Sequence, residues 1–149
     1  MGHLQRNKAA RAVELFDVVQ ALDSVRLADA LERHAAAAGK DLTVFIEVNT
    51  SGEETKFGVA LEAAADLVAY AGSLPHLVAA GLMTVGPLGA SAAATAGAFR
   101  ALKRLFDDVA PKAGPAFKFL SMGMTDDFEV AIAEGSNMVR IGRAIFEAS

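Results

Sequence analysis

The sequence predicts an α/β fold built on a parallel sheet. Three observations carry this. Apolar runs of strand length alternate with stretches of helical periodicity. Those runs are apolar almost throughout, as in strands covered on both faces. No linker-like composition and no tandem repeat divides the 149 residues, a length that suits one domain with a substantial core. Two arrangements satisfy the pattern: an open doubly wound sheet, or part of a (β/α)8 barrel. The first strand-to-helix turn has no G-x-G-x-x-G fingerprint, and no Gly-Lys-Ser/Thr loop occurs, so the usual nucleotide-binding forms of the open sheet are unsupported.

Leu15 to Leu22 (LFDVVQAL) reads as the first strand, although its apolar spacing also permits a helix. Asp23 or Ser24 then serves as an N-cap, Val25, Leu27, Ala28, Leu31 and Ala35 share a helical face, and Gly39 stops the helix. Thr43 to Asn49 (TVFIEVN) is the clearest strand, rich in β-branched and aromatic residues and closed by a Thr-Ser-Gly turn. The next helix, GVALEAAADLVAYAG, ends near Gly72. Leu77 to Gly86 reads as a strand running into the Gly86-Pro87 breaker, followed by the long Ala-rich helix ASAAATAGAFRALKRLFDDVA. Pro111, Gly114 and Pro115 mark the loop beyond it. Phe117 to Gly123 is the fourth strand, and TDDFEVAIAEG is a short helix with Asp126 and Asp127 favouring its N-terminal dipole. Asn137 to Gly142 (NMVRIG) is the fifth strand, and RAIFEAS starts a last helix.

Composition narrows the function. Hydrophobic residues make up 53% of the chain and charged ones 21%, which excludes a disordered chain. With 14 Lys and Arg against 18 Asp and Glu the net charge is -4, and no basic stretch is present to neutralise a row of phosphates, so a nucleic-acid partner is not expected. Cysteine is absent, so disulfides and thiolate metal sites are excluded. No apolar run is long enough to span a bilayer, and the basic N-terminus lacks a signal-type apolar core. A cytoplasmic location and no membrane partner are expected.

The chemistry concentrates in Leu120 to Phe146, which reads strand, glycine loop, helix, glycine turn, strand, glycine, helix start. In a barrel the loops after the last two strands and a nearby helix N-terminus form a phosphate site. Ser121 offers a hydroxyl, and Gly123 and Gly142 either make tight turns or let backbone N–H groups near Gly142, Arg143 and Ala144 approach an anion. Arg140, inside the apolar MVRIG, needs a partner, which is either an acid among Asp126, Asp127 and Glu134 or an acceptor on a ligand. Asn49, Ser51, Glu53 and Lys56 follow a buried strand, and Met83 and Thr84 end another, on the face where parallel α/β folds bind ligands. Turn chemistry and solvation account for Glu53 and Glu54 more simply. His3, His34 and His76 have no metal-binding spacing, with His34 and His76 expected in solvent, and no nucleophile elbow occurs.

The ordered segments GHLQRNKA, EVNTSGEETKFG, GLMTVG, LSMGMTDDFEVAIAEGS and MVRIGRAIF resemble the pyridoxal phosphate homeostasis family (YggS/PROSC type), relatives of the alanine racemase N-terminal domain, over essentially the whole chain. The resemblance implies a partial TIM (β/α)8 barrel comprising the last five of eight parallel strands, a single domain over residues 1–149 that binds pyridoxal 5′-phosphate (PLP). It implies that Ser121 and the Gly142 turn hold the phosphate, that Gly123 and Met124 shape the loop, that Arg140 faces the pyridine nitrogen, and that Met83 and Asn49 line the barrel mouth. The implied role is PLP homeostasis by a non-catalytic carrier. Family members begin well upstream of GHLQRNK, so the chain is expected to lack the lysine-bearing first strand. None of Lys8, Lys40, Lys56, Lys103, Lys112 and Lys118 matches the PLP lysine. Arg143 replaces a usual small hydroxyl residue and offers a cationic contact instead, and Glu147 replaces a usual glycine. Two alternatives remain: a racemase-like PLP enzyme, which needs that lysine and a tyrosine where the sequence has only the helical Tyr70, or a non-binding piece that assembles with a separate N-terminal part. An opened barrel has two apolar edges, LFDVVQAL and NMVRIG, and an uncovered inner face, so self-association is expected.

Overall fold

The computed structural model describes residues 2–52 and 57–146. Glu53, Glu54, Lys56 and Glu147 lie outside them. The described elements are α1 (Ala9–Leu15), β1 (Val18–Leu22), α2 (Val25–Ala38), β2 (Leu42–Asn49), β3 (Val59–Ala60), α3 (Leu61–Ser73), β4 (Leu77–Met83), α4 (Ala92–Ala113), β5 (Phe119–Ser121), α5 (Phe128–Ala133) and α6 (Arg143–Phe146). The strands are parallel and ordered β1-β2-β4-β5, with the two-residue β3 set against the end of β2. Neighbours in the sheet follow chain order without reversal. The fold is therefore α/β and singly wound, not doubly wound, and the sheet is open.

Each face of the sheet has its own cluster. Val44, Ile46 and Val48 of β2 and Leu77, Ala79 and Leu82 of β4 pack with Leu27, Leu31, Leu67, Val68, Phe99 and Leu102 of the helices. The opposite face carries Phe45, Ala80 and Met83, with Phe119 and Met138 against them and no helical residue. Phe45, Ala80 and Met83 are buried there, whereas Phe119 and Met138 are half-buried.

Several boundaries differ from the sequence reading. Leu15 closes α1 and the strand begins only at Val18, because Ala9, Ala12 and Val13 already form a buried helical stripe. In α2 the Ser24 hydroxyl accepts from Leu27 N and Gly39 closes the helix at φ 61°, as expected of both residues. α4 runs through Pro111 to Ala113, since a proline in the last turn removes one bond and the chain leaves before further turns are needed. The sheet part of Leu77 to Gly86 stops at Met83. Asp126 and Asp127 precede α5, whose first-turn acid is Glu129. NMVRIG is not a full strand: its sheet pairing is the single bridge Ser121–Met138. His76 is held by Glu32, which accepts from its backbone N at 2.9 Å and lies 2.8 Å from its Nδ1.

Candidate functional site

Register places the inward side chains in rows. Glu47 of β2 is level with Met83 of β4, Met83 with Ser121 of β5, and Ser121 with Met138. Side chains at one level of a parallel sheet share a face, so this row crosses the C-terminal end of the inner face. One level below lie Phe45, Gly81 and Phe119, whose two rings stack at 5.6 Å across the glycine.

Arg140 knits the ends of β4 and β5 together. Its Nη1 donates to Ser121 Oγ at 2.8 Å, its Nη2 donates to Thr84 O at 2.8 Å, and its backbone N donates to Gly123 O at 3.0 Å. Ser121 is fully buried and its hydroxyl donates to Gln20 Oε1 of β1 at 2.7 Å, so the network spans the sheet. Thr84 Oγ1 donates to Val48 O at 2.7 Å, which leaves Thr50 as donor in the 3.0 Å contact between the two threonine hydroxyls. Burial lowers the Arg140 pKa, while Asp127 and Glu47 oppose that shift; the guanidinium stays charged at physiological pH. Glu134, one of the acids considered for Arg140, pairs with Arg100 instead.

Glu47 is 5% exposed, and its Oε2, itself buried, has no hydrogen-bond partner among the described residues. Burial raises its pKa first and Asp23 adds to this, whereas His3 and Arg140 pull it down. His3 and Asp23 lie 2.8 Å apart.

Beside Glu47 opens a cleft of about 850 Å³. Its walls include Phe57, Val85, Leu88 and Val130, and its polar members include Asn49, Thr95, Asp126 and Asp127. Of the predicted binding residues, Asn49 and Met124 line it. Asn49 Oδ1 also holds the turn after β2, accepting from Ser51 N, Ser51 Oγ and Gly52 N. Met124 N donates to Asp127 Oδ1 at 2.6 Å. Ser121 and Arg140 belong to the inner-face network, and Met83 lies level with Ser121 beside it. Gly123 sits at φ 98°, and a Cβ there would be 2.6 Å from that of Ala131, so close approach of α5 accounts for this glycine. Gly142 has neither a positive φ nor a crowded Cβ position. It opens α6, next to Arg143, whose exposed guanidinium pairs with Asp126. Gln20 and Glu47 are the members that the sequence analysis passed over. The signal was there: each is a polar residue at an inward position of an otherwise apolar strand.

The alanine racemase N-terminal domain family matches residues 1–149. The chain belongs to that family. A relative from Aquifex aeolicus named pyridoxal phosphate homeostasis protein is 39% identical over 146 residues, covering 98% of this chain and 64% of its own length. The chain therefore spans less than two thirds of that relative. Among solved structures, a protein of unknown function from Bifidobacterium adolescentis matches with a TM-score of 0.92 at 38% identity, over 98% of this chain and 59% of that one. PipY of Synechococcus elongatus, solved with PLP bound, matches with a TM-score of 0.87 at 31% identity, over 98% of this chain and 68% of that one. Among the described residues no helix of this family member is long and apolar enough to cross a membrane, and no cluster of His, Cys, Asp and Glu fits a metal ion.

Proposed function

We propose that this chain supplies the phosphate-holding part of a PLP site, in a protein that binds and hands over the cofactor without turning over a substrate. The observation that carries this is the convergence of Ser121, Arg140 and the start of α6 on one end of the sheet. The residues present fit the group. The backbone N–H groups of Gly142 and Arg143 have no acceptor among the described residues, and Ala144 N reaches only Thr125 Oγ1 at 3.4 Å. A phosphate set there would meet free donors, with Arg143 nearby. Ser121 would act through Arg140, fixing its plane, with Gly123 and Met124 shaping the loop and Met83 and Asn49 beside the ring. PLP supplies an aldehyde and an electron-withdrawing ring. By family resemblance Arg140 faces the ring nitrogen, where a permanent cation keeps that nitrogen unprotonated and weakens electron withdrawal, which suits a carrier. The names of the relatives and the PLP in the Synechococcus structure support the same reading.

The singly wound order and the helix-free inner face support a segment of a (β/α)8 barrel as the parent architecture, with residues 1–149 as one domain of it. A racemase-like activity has little support: the Tyr70 hydroxyl donates to Asp29 at 2.5 Å, away from the cleft. Lys118 lies over the Phe119 ring, before β5 and at the opposite strand end from Ser121.

PLP binding to this chain is read by its absorbance. Arg140→Ala should weaken binding at least about tenfold, a loss of roughly 1.4 kcal/mol, while His34→Ala on α2 should leave it unchanged. Borohydride should trap no single lysine in high yield. Equal effects of the two substitutions, or one lysine fully labelled, would overturn the reading.

Exposed apolar side chains gather at both ends of the sheet: Leu15, Phe16 and Val18 beside β1, and Ile132, Ile145 and Phe146 beyond β5. β1 has an open edge. The chain on its own should therefore self-associate, with light scattering showing mass rising with concentration. A constant monomer mass would reject this.

A further inference from the structure

Gln20 stands on β1, at one end of the strand order, and its partners stand at the other. Its Oε1 accepts from Ser121 Oγ of β5 at 2.7 Å, and its Nε2 lies 3.5 Å from the sulfur of Met138. In a flat sheet β1 and β5 would be three strand spacings apart, about 14 Å. A glutamine and a serine side chain joined by one hydrogen bond do not reach that far. The sheet therefore curls around Gln20, and the residue braces its inner face.

Chemistry fixes the order of protons in this brace. A guanidinium only donates, and a serine hydroxyl carries one proton. Ser121 Oγ accepts from Arg140 Nη1 at 2.8 Å, so its own proton goes to Gln20 Oε1. Ser121 is fully buried, so water offers no substitute acceptor. Without the Gln20 carbonyl the hydroxyl turns to keep its proton bonded, and the lone pair aimed at Arg140 turns with it. We infer that Gln20 is a positioning residue for the cofactor site: it sets the Ser121 hydroxyl as an acceptor and, through it, the plane of the Arg140 guanidinium. The inference rests on the PLP reading for its functional consequence. Met138, two residues before Arg140, gives Gln20 a second hold on the same segment.

Two readouts on the whole chain test this, one of them without PLP. In nitrogen NMR spectra the two Nη groups of wild-type Arg140 should interchange slowly, because each is bonded to a fixed acceptor, while those of the exposed Arg6 interchange fast. Gln20→Leu keeps the bulk and removes the acceptor. It should speed the Arg140 interchange and weaken PLP binding, each by about fivefold, the scale of one neutral hydrogen bond. Gln20→Glu, which keeps an acceptor for Ser121, should retain slow interchange. In an Arg140→Ala background Gln20→Leu should cost no further PLP affinity, whereas a residue that only supports the fold weakens binding equally in both backgrounds. Unchanged Arg140 interchange in Gln20→Leu, fast interchange in Gln20→Glu, or additive losses of PLP affinity would overturn the inference. A chain whose PLP binding depends on Arg140 but not on Gln20 rejects the inference alone. A chain that binds no PLP, while Gln20→Leu frees Arg140, rejects the cofactor reading and leaves Gln20 as the residue that orders Arg140.

Discussion

Replacing Gly81 by alanine should destabilise the chain by about 3 kcal/mol, at the upper end of the cost of overpacking a core. A Cβ built at Gly81 would lie 1.9 Å from the carbonyl oxygen of Phe119, 2.7 Å from its carbonyl carbon and 2.9 Å from its Cβ. Two of those atoms are backbone and cannot be relieved by turning a side chain. The pairing of β4 with β5 is only three residues long, so moving Phe119 also moves Leu120 and Ser121. The Phe45–Phe119 stack across the glycine would be pushed apart at the same time. The irregularity of register between Val44 and Phe45 sets Ala80 and Gly81 against Phe45 alone, and a bulge of this kind needs a small residue. The measurement is a denaturant midpoint with Gly97→Ala as the control. Gly97 lies within α4 with nothing within 4 Å of its Cβ position, so alanine there should stabilise by up to about 1 kcal/mol. Gly81→Ala unfolding together with the wild type would reject the close-approach argument. Because Ser121 is carried on β5, the same substitution should also weaken PLP binding.

That glycine shows where sequence reading stops. β2 is legible because its apolar run and its closing turn act locally, and α2 because Ser24 and Gly39 cap it through contacts a few residues apart. The segment after α5 is different. MVRIG has strand composition, and backbone bonds set it beside the end of β5 (Met138 N to Leu120 O, Met122 N to Met138 O, Arg140 N to Gly123 O), but its place also depends on Ser136 Oγ, whose one proton lies within reach of the carbonyl oxygens of Leu120, Met122 and Met138, and on Arg140 reaching Ser121 and Thr84. Side-chain and backbone bonds together hold it at the end of β5, where the sheet pairing proper is one bridge. The same distinction holds at the candidate site. Arg140 stood out as a charge in an apolar strand, but its acceptors are a hydroxyl and a carbonyl on other strands, not the acids near it in sequence. Gly81 was legible as part of a motif, while its physical reason is a backbone that only folding brings alongside.

Glu47→Gln should raise stability at neutral pH by on the order of 1–2 kcal/mol, the scale of a buried polar group left without its bond. The direction follows from linkage. Burial in β2 raises the Glu47 pKa above its ordinary value near 4.5, with Asp23 adding to the shift. The folded chain then binds more protons than the unfolded chain between the two pKa values, so the contribution of Glu47 to stability falls as pH rises through that interval. Below the unfolded value the carboxyl is neutral in both states and the penalty is absent. Above the folded value it is present in full. Urea midpoints of wild type and Glu47→Gln should therefore converge at acidic pH and separate as pH rises, with the variant the more stable. His3, Asp23 and Arg140 are present in both proteins, so the difference between the two reports the carboxyl and its coupling to them. A gap of constant size across the pH range would show that Gln acts through packing and not through charge. A variant less stable at neutral pH would show that the Glu47 carboxylate is compensated in the folded chain.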